Sequence, residues 1–244
     1  MKVVAIVQAR MGSSRLPGKV LREISGKSML MRVLERLQRA CSLDEILVAT
    51  TDASVDDVIE QECRRLLVPL FRGSEEDVLD RYMQAARWMK ADVVTRITSD
   101  CPLIDPEITD SIVRAFLAQR PDYASNTLDR TYPRGLDAEV MSFHTLERAW
   151  RDANQPYQRE HVTPYICEHP EEFKLLSISA DRNNNRHRWT VDTQEDMEFV
   201  RAIYARLGGR AEFSWQDILA LLEREPELAE INGSIAQKEL QAGR

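Results

Sequence analysis

The segment Val3-Val4-Ala5-Ile6-Val7 is an unbroken apolar run rich in β-branched residues. That pattern marks a strand buried on both faces of a parallel sheet. The next stretch, Gln8 to Leu21, is therefore the loop beyond a strand's carboxyl end, where open α/β sheets bind their ligands. It holds Gly12, Gly18, Ser13 and Ser14 together with three cations, Arg10, Arg15 and Lys19. The glycines and serines let the backbone turn tightly and present N–H groups. Planar Arg forks and a compact Lys charge suit several phosphates better than one carboxylate. Pro17-Gly18-Lys19 runs into Val20, so this is not a Walker loop, and the dinucleotide GxGxxG spacing is absent as well.

Downstream, apolar runs alternate with helical periodicities. Met29, Leu30, Val33, Leu34 and Leu37 recur at helical spacing, and Ile46 to Asp52 reads as a second buried strand. A helix over about 55–66 and a short strand at Val68 to Phe71 complete a β-α-β-α-β order, the alternation that builds parallel sheets. Ser74 is the expected N-cap of the next helix, with Asp77 three residues on, which leaves Arg72 and Gly73 at a strand end. Asp92 to Thr98 is a fourth strand, and Asp105-Pro106 supplies the cap and first residue of a helix reaching about Gln119.

Asp100 lies just beyond that fourth strand, where a carboxylate facing a basic phosphate loop can hold a divalent cation against phosphate oxygens. A second carboxylate, Asp192, ends the Trp189-Thr190-Val191 segment, expected as a strand, with Thr193 capping a helix and Asp196 three residues later. Between them the strict alternation stops. After a strand at 122–125, residues 126–138 turn polar and Pro/Gly-containing, Glu139 to Phe143 reads as an edge strand, and helices are expected over about 144–153 and 158–167. Residues 126–170 are read as an acceptor-side excursion within a single domain spanning 1–244. Its candidate acceptor-binding residues are Arg134, Asp137 and Glu139, with His161 a weaker one. A strand at 173–178, a further helix from Ser214 and a frayed polar tail after Asn232 complete the pattern.

The composition narrows the partners. A net charge of −7 over 244 residues argues against nucleic acid, whose binders carry a basic face, and fits a local basic pocket for a small anion. Cys41, Cys63, Cys101 and Cys167 form no CxxC pair, so neither a zinc ribbon nor a disulfide framework is indicated. The amino terminus runs straight into the first strand and no apolar run reaches membrane-spanning length, so a cytoplasmic location and no membrane partner are expected.

Four blocks carry a resemblance: Gln8 to Leu21, Arg72-Gly73-Ser74, Thr98 to Leu103 and Val191-Asp192-Thr193. In this order they resemble the CMP-sugar-acid synthetases, a cytidylyltransferase family, and in particular its spore-coat polysaccharide biosynthesis protein F-like branch. The resemblance implies a three-layer Rossmann-like α/β fold of the nucleotide-diphospho-sugar transferase type, with a mostly parallel mixed sheet and a homodimer made through the excursion at about 126–170. It further implies that CMP passes from CTP to a small anionic acceptor, a sugar acid, with release of pyrophosphate, in surface polysaccharide synthesis. Arg10, Arg15 and Lys19, with Gly12, Ser13 and Ser14, would hold the triphosphate. Backbone around Ala9 and Arg10 with Arg72, Gly73 and Ser74 would read the cytosine. Asp100 and Asp192 would carry Mg2+, and Lys19, Arg15 and Asp100 would be catalytic through positioning and charge neutralisation. Ser99-Asp100-Cys101-Pro102 departs from the amide- or acid-rich surroundings of the familiar motif, and Arg134 to Glu139 does not identify one acid. A phosphonate acceptor, a nucleotide-sugar glycosyltransferase and a silent binding module are the competing readings. The glycosyltransferase would want an Asp-x-Asp pair that Ser99-Asp100-Cys101 lacks.

Overall fold

A computed structural model describes residues 1–236. Nine strands and ten helices follow one another among them. The strands are β1 (Val3–Gln8), β2 (Glu23–Ile24), β3 (Lys27–Ser28), β4 (Glu45–Thr51), β5 (Leu70–Gly73), β6 (Val93–Thr98), β7 (Tyr123–Ser125), β8 (Glu139–Ser142) and β9 (Leu175–Ser177). The helices are α1 (Met29–Leu37), α2 (Asp57–Leu66), α3 (Val78–Met89), α4 (Pro106–Gln119), α5 (Phe143–Asp152), α6 (Pro156–His161), α7 (Pro164–Glu168), α8 (Gln194–Arg206), α9 (Trp215–Arg224) and α10 (Glu227–Glu230).

Seven strands form one sheet in the order β5-β4-β1-β6-β8-β7-β9, while β2 and β3 make a separate hairpin. β8 pairs antiparallel with both neighbours and every other pairing in the large sheet is parallel. The central strand shows why its sequence is apolar throughout. Val3 and Val7 belong to a core shared with α1, α4, α8 and α9, while Val4 and Ile6 belong to one shared with α3 and α5. Successive side chains point to opposite faces, so a strand with helices on both sides must be apolar at every position. The result is the expected three-layer, mostly parallel mixed α/β fold.

Several local expectations are corrected. The third strand is Leu70–Gly73 rather than 68–71. Asp77, not Ser74, caps α3 by accepting from Asp80 N, while Ser74 Oγ accepts from Asp77 N one turn earlier. β8 is interior, because it pairs antiparallel with β6 on one side and with β7 on the other. The helix expected over 158–167 is two short ones, broken at Val162, whose φ of 74° is left-handed, and before Pro164, which has no N–H for a continuing ladder. Trp189 to Val191 is not a strand. It crosses the carboxyl ends of the sheet, with Trp189 N donating to Arg134 O and Val191 N to Asp100 O, and its apolar side chains are buried there. The expected frayed tail falls largely on 237–244, outside the described residues. Among the described residues no helix is long and apolar enough to cross a membrane.

Candidate active site

β1, β4 and β6 run parallel, so their carboxyl ends open on one edge of the sheet, and the loop after β1 lies across it. Two backbone N–H bonds shape the middle of this loop. Met11 N donates to the buried Asp56 at 2.7 Å, and Gly18 N returns to Met11 O at 3.1 Å. Gly18 has a φ of 69°, in the left-handed region that favours glycine, where the loop turns into a short 3-10 segment starting at Lys19.

Lys19 Nζ donates to Asp100 Oδ2 and Asp192 Oδ1, both at 2.9 Å, and to Val191 O at 2.7 Å. Asp192 Oδ2 also meets Arg15 and Arg188, each at 2.9 Å. Behind it, Asp196 accepts from the backbone N–H groups of Asp192 and Thr193 and from Arg188 and Asn232. A capping box at the start of α8 thus fixes the second carboxylate. Burial disfavours charge on Lys19, yet the two carboxylates outweigh it and raise its pKa. Burial works against Asp100 in the same way, and Lys19 with Thr98 still holds it below the usual carboxylate range.

A cleft of about 390 Å³ results. It brings Ala9, Arg10, Gly12, Ser13, Ser14, Arg15 and Lys19 together with Asp100, Asp192 and His161. His161 and Glu160 arrive from α6, across the cleft from the loop.

Other expected site residues are placed elsewhere. The Arg72 guanidinium donates to Thr51 O and Ala53 O and pairs with Asp57 at 2.7 Å and Glu60 at 2.9 Å, so it braces the β4–α2 connection. Gly73 and Ser74 pack against Arg81, whose Nη1 donates to Ser74 O at 2.8 Å. Asp137 is held by both amines of Arg130. Arg134 forms an isolated bridge with Arg188 through its backbone. Glu139 cannot grip a substrate: it is 7% exposed, paired with Arg96, and accepts from Tyr123 and Thr163 at 2.6 Å each. Arg96 keeps its pKa low against the burial that would raise it.

The sequence reading passed over Gln8, Arg81 and Arg188. Gln8 is the last residue of β1 and lines the cleft beside Arg81. The signals were a polar residue ending an apolar strand and an arginine four residues before Asp192.

The cleft is that of a nucleotide-handling α/β protein: a glycine-basic loop at the end of a central strand, facing two carboxylates from distant parts of the chain. A family model described as cytidylyltransferase matches residues 4–225. The chain is 36% identical over 234 residues to the spore coat polysaccharide biosynthesis protein SpsF of Bacillus subtilis, covering 93% of this chain and 96% of that protein. Against a 3-deoxy-manno-octulosonate cytidylyltransferase of Trichlorobacter lovleyi it is 37% identical over 117 residues, 48% of this chain and 46% of the other. The solved structure of a cytidylyltransferase from Leptospira borgpetersenii superposes with a TM-score of 0.91 at 34% identity, over 98% of this chain and all of that one. The chain belongs to the cytidylyltransferase family.

Proposed function

We propose that this protein transfers CMP from CTP to a sugar acid with release of pyrophosphate, and that it needs Mg2+. The observation that carries this is the convergence of Asp100 and Asp192 on one point, marked by Lys19 Nζ at 2.9 Å from each, beneath the cationic loop. Two carboxylate oxygens around a cation-sized point fit Mg2+, which is commonly held by one or two carboxylates and completed by substrate phosphates. Asp100 and Asp192 would hold the ion, which supplies charge neutralisation at the phosphates.

In this reading Arg10, Arg15 and the loop N–H groups fix the triphosphate, and Lys19 leaves its carboxylates to meet phosphate oxygens. The acceptor oxygen attacks the α-phosphorus in line and the bond to the pyrophosphate oxygen breaks. No covalent intermediate with the protein is needed, so the residues act by positioning and electrostatics. Relatives named 3-deoxy-manno-octulosonate cytidylyltransferase and spore coat polysaccharide biosynthesis protein support a sugar acid as acceptor.

The test is pyrophosphate release with Mg2+, each of the four ribonucleoside triphosphates and a panel of sugar acids. Release with CTP and an acid is expected. Release with another triphosphate in preference to CTP, or none with any acid, overturns the proposal.

A further inference from the structure

Asn232 lies just beyond α10, does not line the cleft, and is buried. The region matched by the family model ends at residue 225, before it. One amide nitrogen serves two acceptors: Asn232 Nδ2 donates to Asp196 Oδ1 and to Arg188 O, both at 2.9 Å. A carboxylate and a carbonyl only accept, so the amide has one usable orientation. These partners are the residues that hold the second carboxylate of the cleft. Arg188 Nη2 donates to Asp192 Oδ2 at 2.9 Å and to Asp196 Oδ2 at 3.0 Å, and Asp196 Oδ2 accepts from Asp192 N at 2.9 Å. Asn232 therefore reaches Asp192 by two links, one to its side chain and one to its backbone.

Little else seats the segment that carries it. Leu228 is buried and Ala229 and Ile231 pack partly against the core, whereas Pro226, Glu227, Glu230, Gly233 and Ser234 are exposed. Among the described residues, the two bonds from Asn232 are the only hydrogen bonds joining 226–235 to the rest of the protein, apart from Leu228 N to Glu225 O at its root. A cavity of about 930 Å³ adjoins the segment, lined by Ala229, Asn232 and Gly233 together with Tyr132, Trp189 and Trp215. A short, half-exposed element beside a cavity has few apolar contacts and belongs to the part of a molecule that opens most readily. Its chief polar anchor is thus also the support of a cleft carboxylate.

We propose that Asn232 is a positioning residue for the nucleotide-bound cation: seated on Arg188 and Asp196 it fixes Asp192, so docking of the segment 226–235 and binding of Mg2+ with CTP favour one another. This rests on the Mg2+ reading above and deepens it. Without the amide, Arg188 O and an Asp196 oxygen lose a donor in a buried setting, and both residues shift to recover one, carrying the Asp192 side chain with them. Partners behind a metal ligand are typically worth about 10–100-fold in metal affinity. Asn232 acts through a further residue, which places it at the lower end, about tenfold. The coupling is reciprocal: the factor that docking gives to cation binding is the factor that cation binding gives to docking.

The experiment measures, by calorimetry, the Mg2+ concentration at half-maximal CTP binding in the wild type, Asn232→Leu and Asn232→Gln, with folding checked by circular dichroism. Asn232→Leu keeps the bulk, loses both donors and should raise that midpoint about tenfold. Asn232→Gln keeps the amide on a longer stem and should recover part of the loss. A residue that only packs would lower the melting temperature and leave the midpoint in place. An unchanged midpoint in folded Asn232→Leu therefore overturns the inference and leaves the Mg2+ reading intact. Should Asn232→Leu not fold, hydrogen exchange in the wild type decides. Mg2+ with CTP should slow exchange of the Leu228, Ala229 and Ile231 amides about tenfold relative to the free protein, and no slowing overturns the inference. CTP binding in the wild type that does not depend on Mg2+ overturns both.

Discussion

Replacing Lys19 with Met removes the one ammonium that holds Asp100 and Asp192 together while keeping most of the side chain's length and bulk. The three side chains are 13%, 27% and 15% exposed, so solvent screens the pairs only in part. Removing one partner of a buried ion pair costs about 3–5 kcal/mol. The partial exposure here brings the expectation nearer about 3 kcal/mol, and at roughly 2–4 °C per kcal/mol for a chain of this size the melting temperature should fall by about 6–12 °C. The pH dependence follows in sign. Lys19 has a raised pKa, so its contribution is complete below the ordinary lysine value of about 10.4 and is lost as pH rises through its folded value. Asp100 has a lowered pKa, so its contribution is complete above about 3.9 and is lost as pH falls through its folded value. In the variant Asp100 loses that depression, and the acid limb should move to higher pH. Scanning calorimetry from about pH 2 to about pH 12, with and without Mg2+, tests this. Millimolar Mg2+ should return part of the lost stability to the variant by taking the vacated point between the carboxylates. A variant that melts within 2 °C of the wild type, or that gains nothing from Mg2+, would refute the reasoning.

Asp100→Asn and Asp192→Asn should each reduce Mg2+-dependent turnover at least about 100-fold, as loss of a metal ligand during charge neutralisation demands, measured by pyrophosphate release. Glu139→Gln should destabilise by about 3 kcal/mol, because Arg96 is left buried without its counter-charge, and should leave the acceptor KM within about twofold. Since the Glu139 pKa is lowered, the wild type should keep this contribution above about pH 4.3 and lose it as pH falls below, in acid-unfolding curves followed by fluorescence. In native protein a thiol reagent should label the exposed Cys41 rapidly. Cys63, its thiol pushed up to about 12 by burial, and Cys167, up to about 11, should react slowly, and equal rates for these three would contradict this.

What the sequence disclosed and what it hid have the same physical origin. Short-range signals were legible: the two-faced apolar run at Val3 to Val7, the Asp105-Pro106 cap and the Thr193/Asp196 capping box each act within a few residues. The strand-end positions of the glycine-basic loop and of Asp100 were legible too, whereas Asp192 was placed by a strand that does not form. Long-range competition was not. Arg72 has the residue type and the strand-end position for a ligand contact, yet Asp57 and Glu60 reach it first. Glu139 looked available until folding set Arg96 beside it on the neighbouring strand. Trp189 to Val191 has a strand's composition, but its burial comes from lying across the sheet's edge rather than from joining it. Arg81 was overlooked because nothing local distinguishes a helical arginine facing solvent from one facing a cleft.

The most direct measurement is phosphorus NMR of one reaction containing CTP, Mg2+ and a panel of sugar acids. The CTP resonances should give way to pyrophosphate and a single phosphodiester signal from the CMP-linked acid, and Lys19→Met should produce neither. Stable CTP resonances with every acid, or turnover in Lys19→Met equal to the wild type, would contradict the assignment of this cleft.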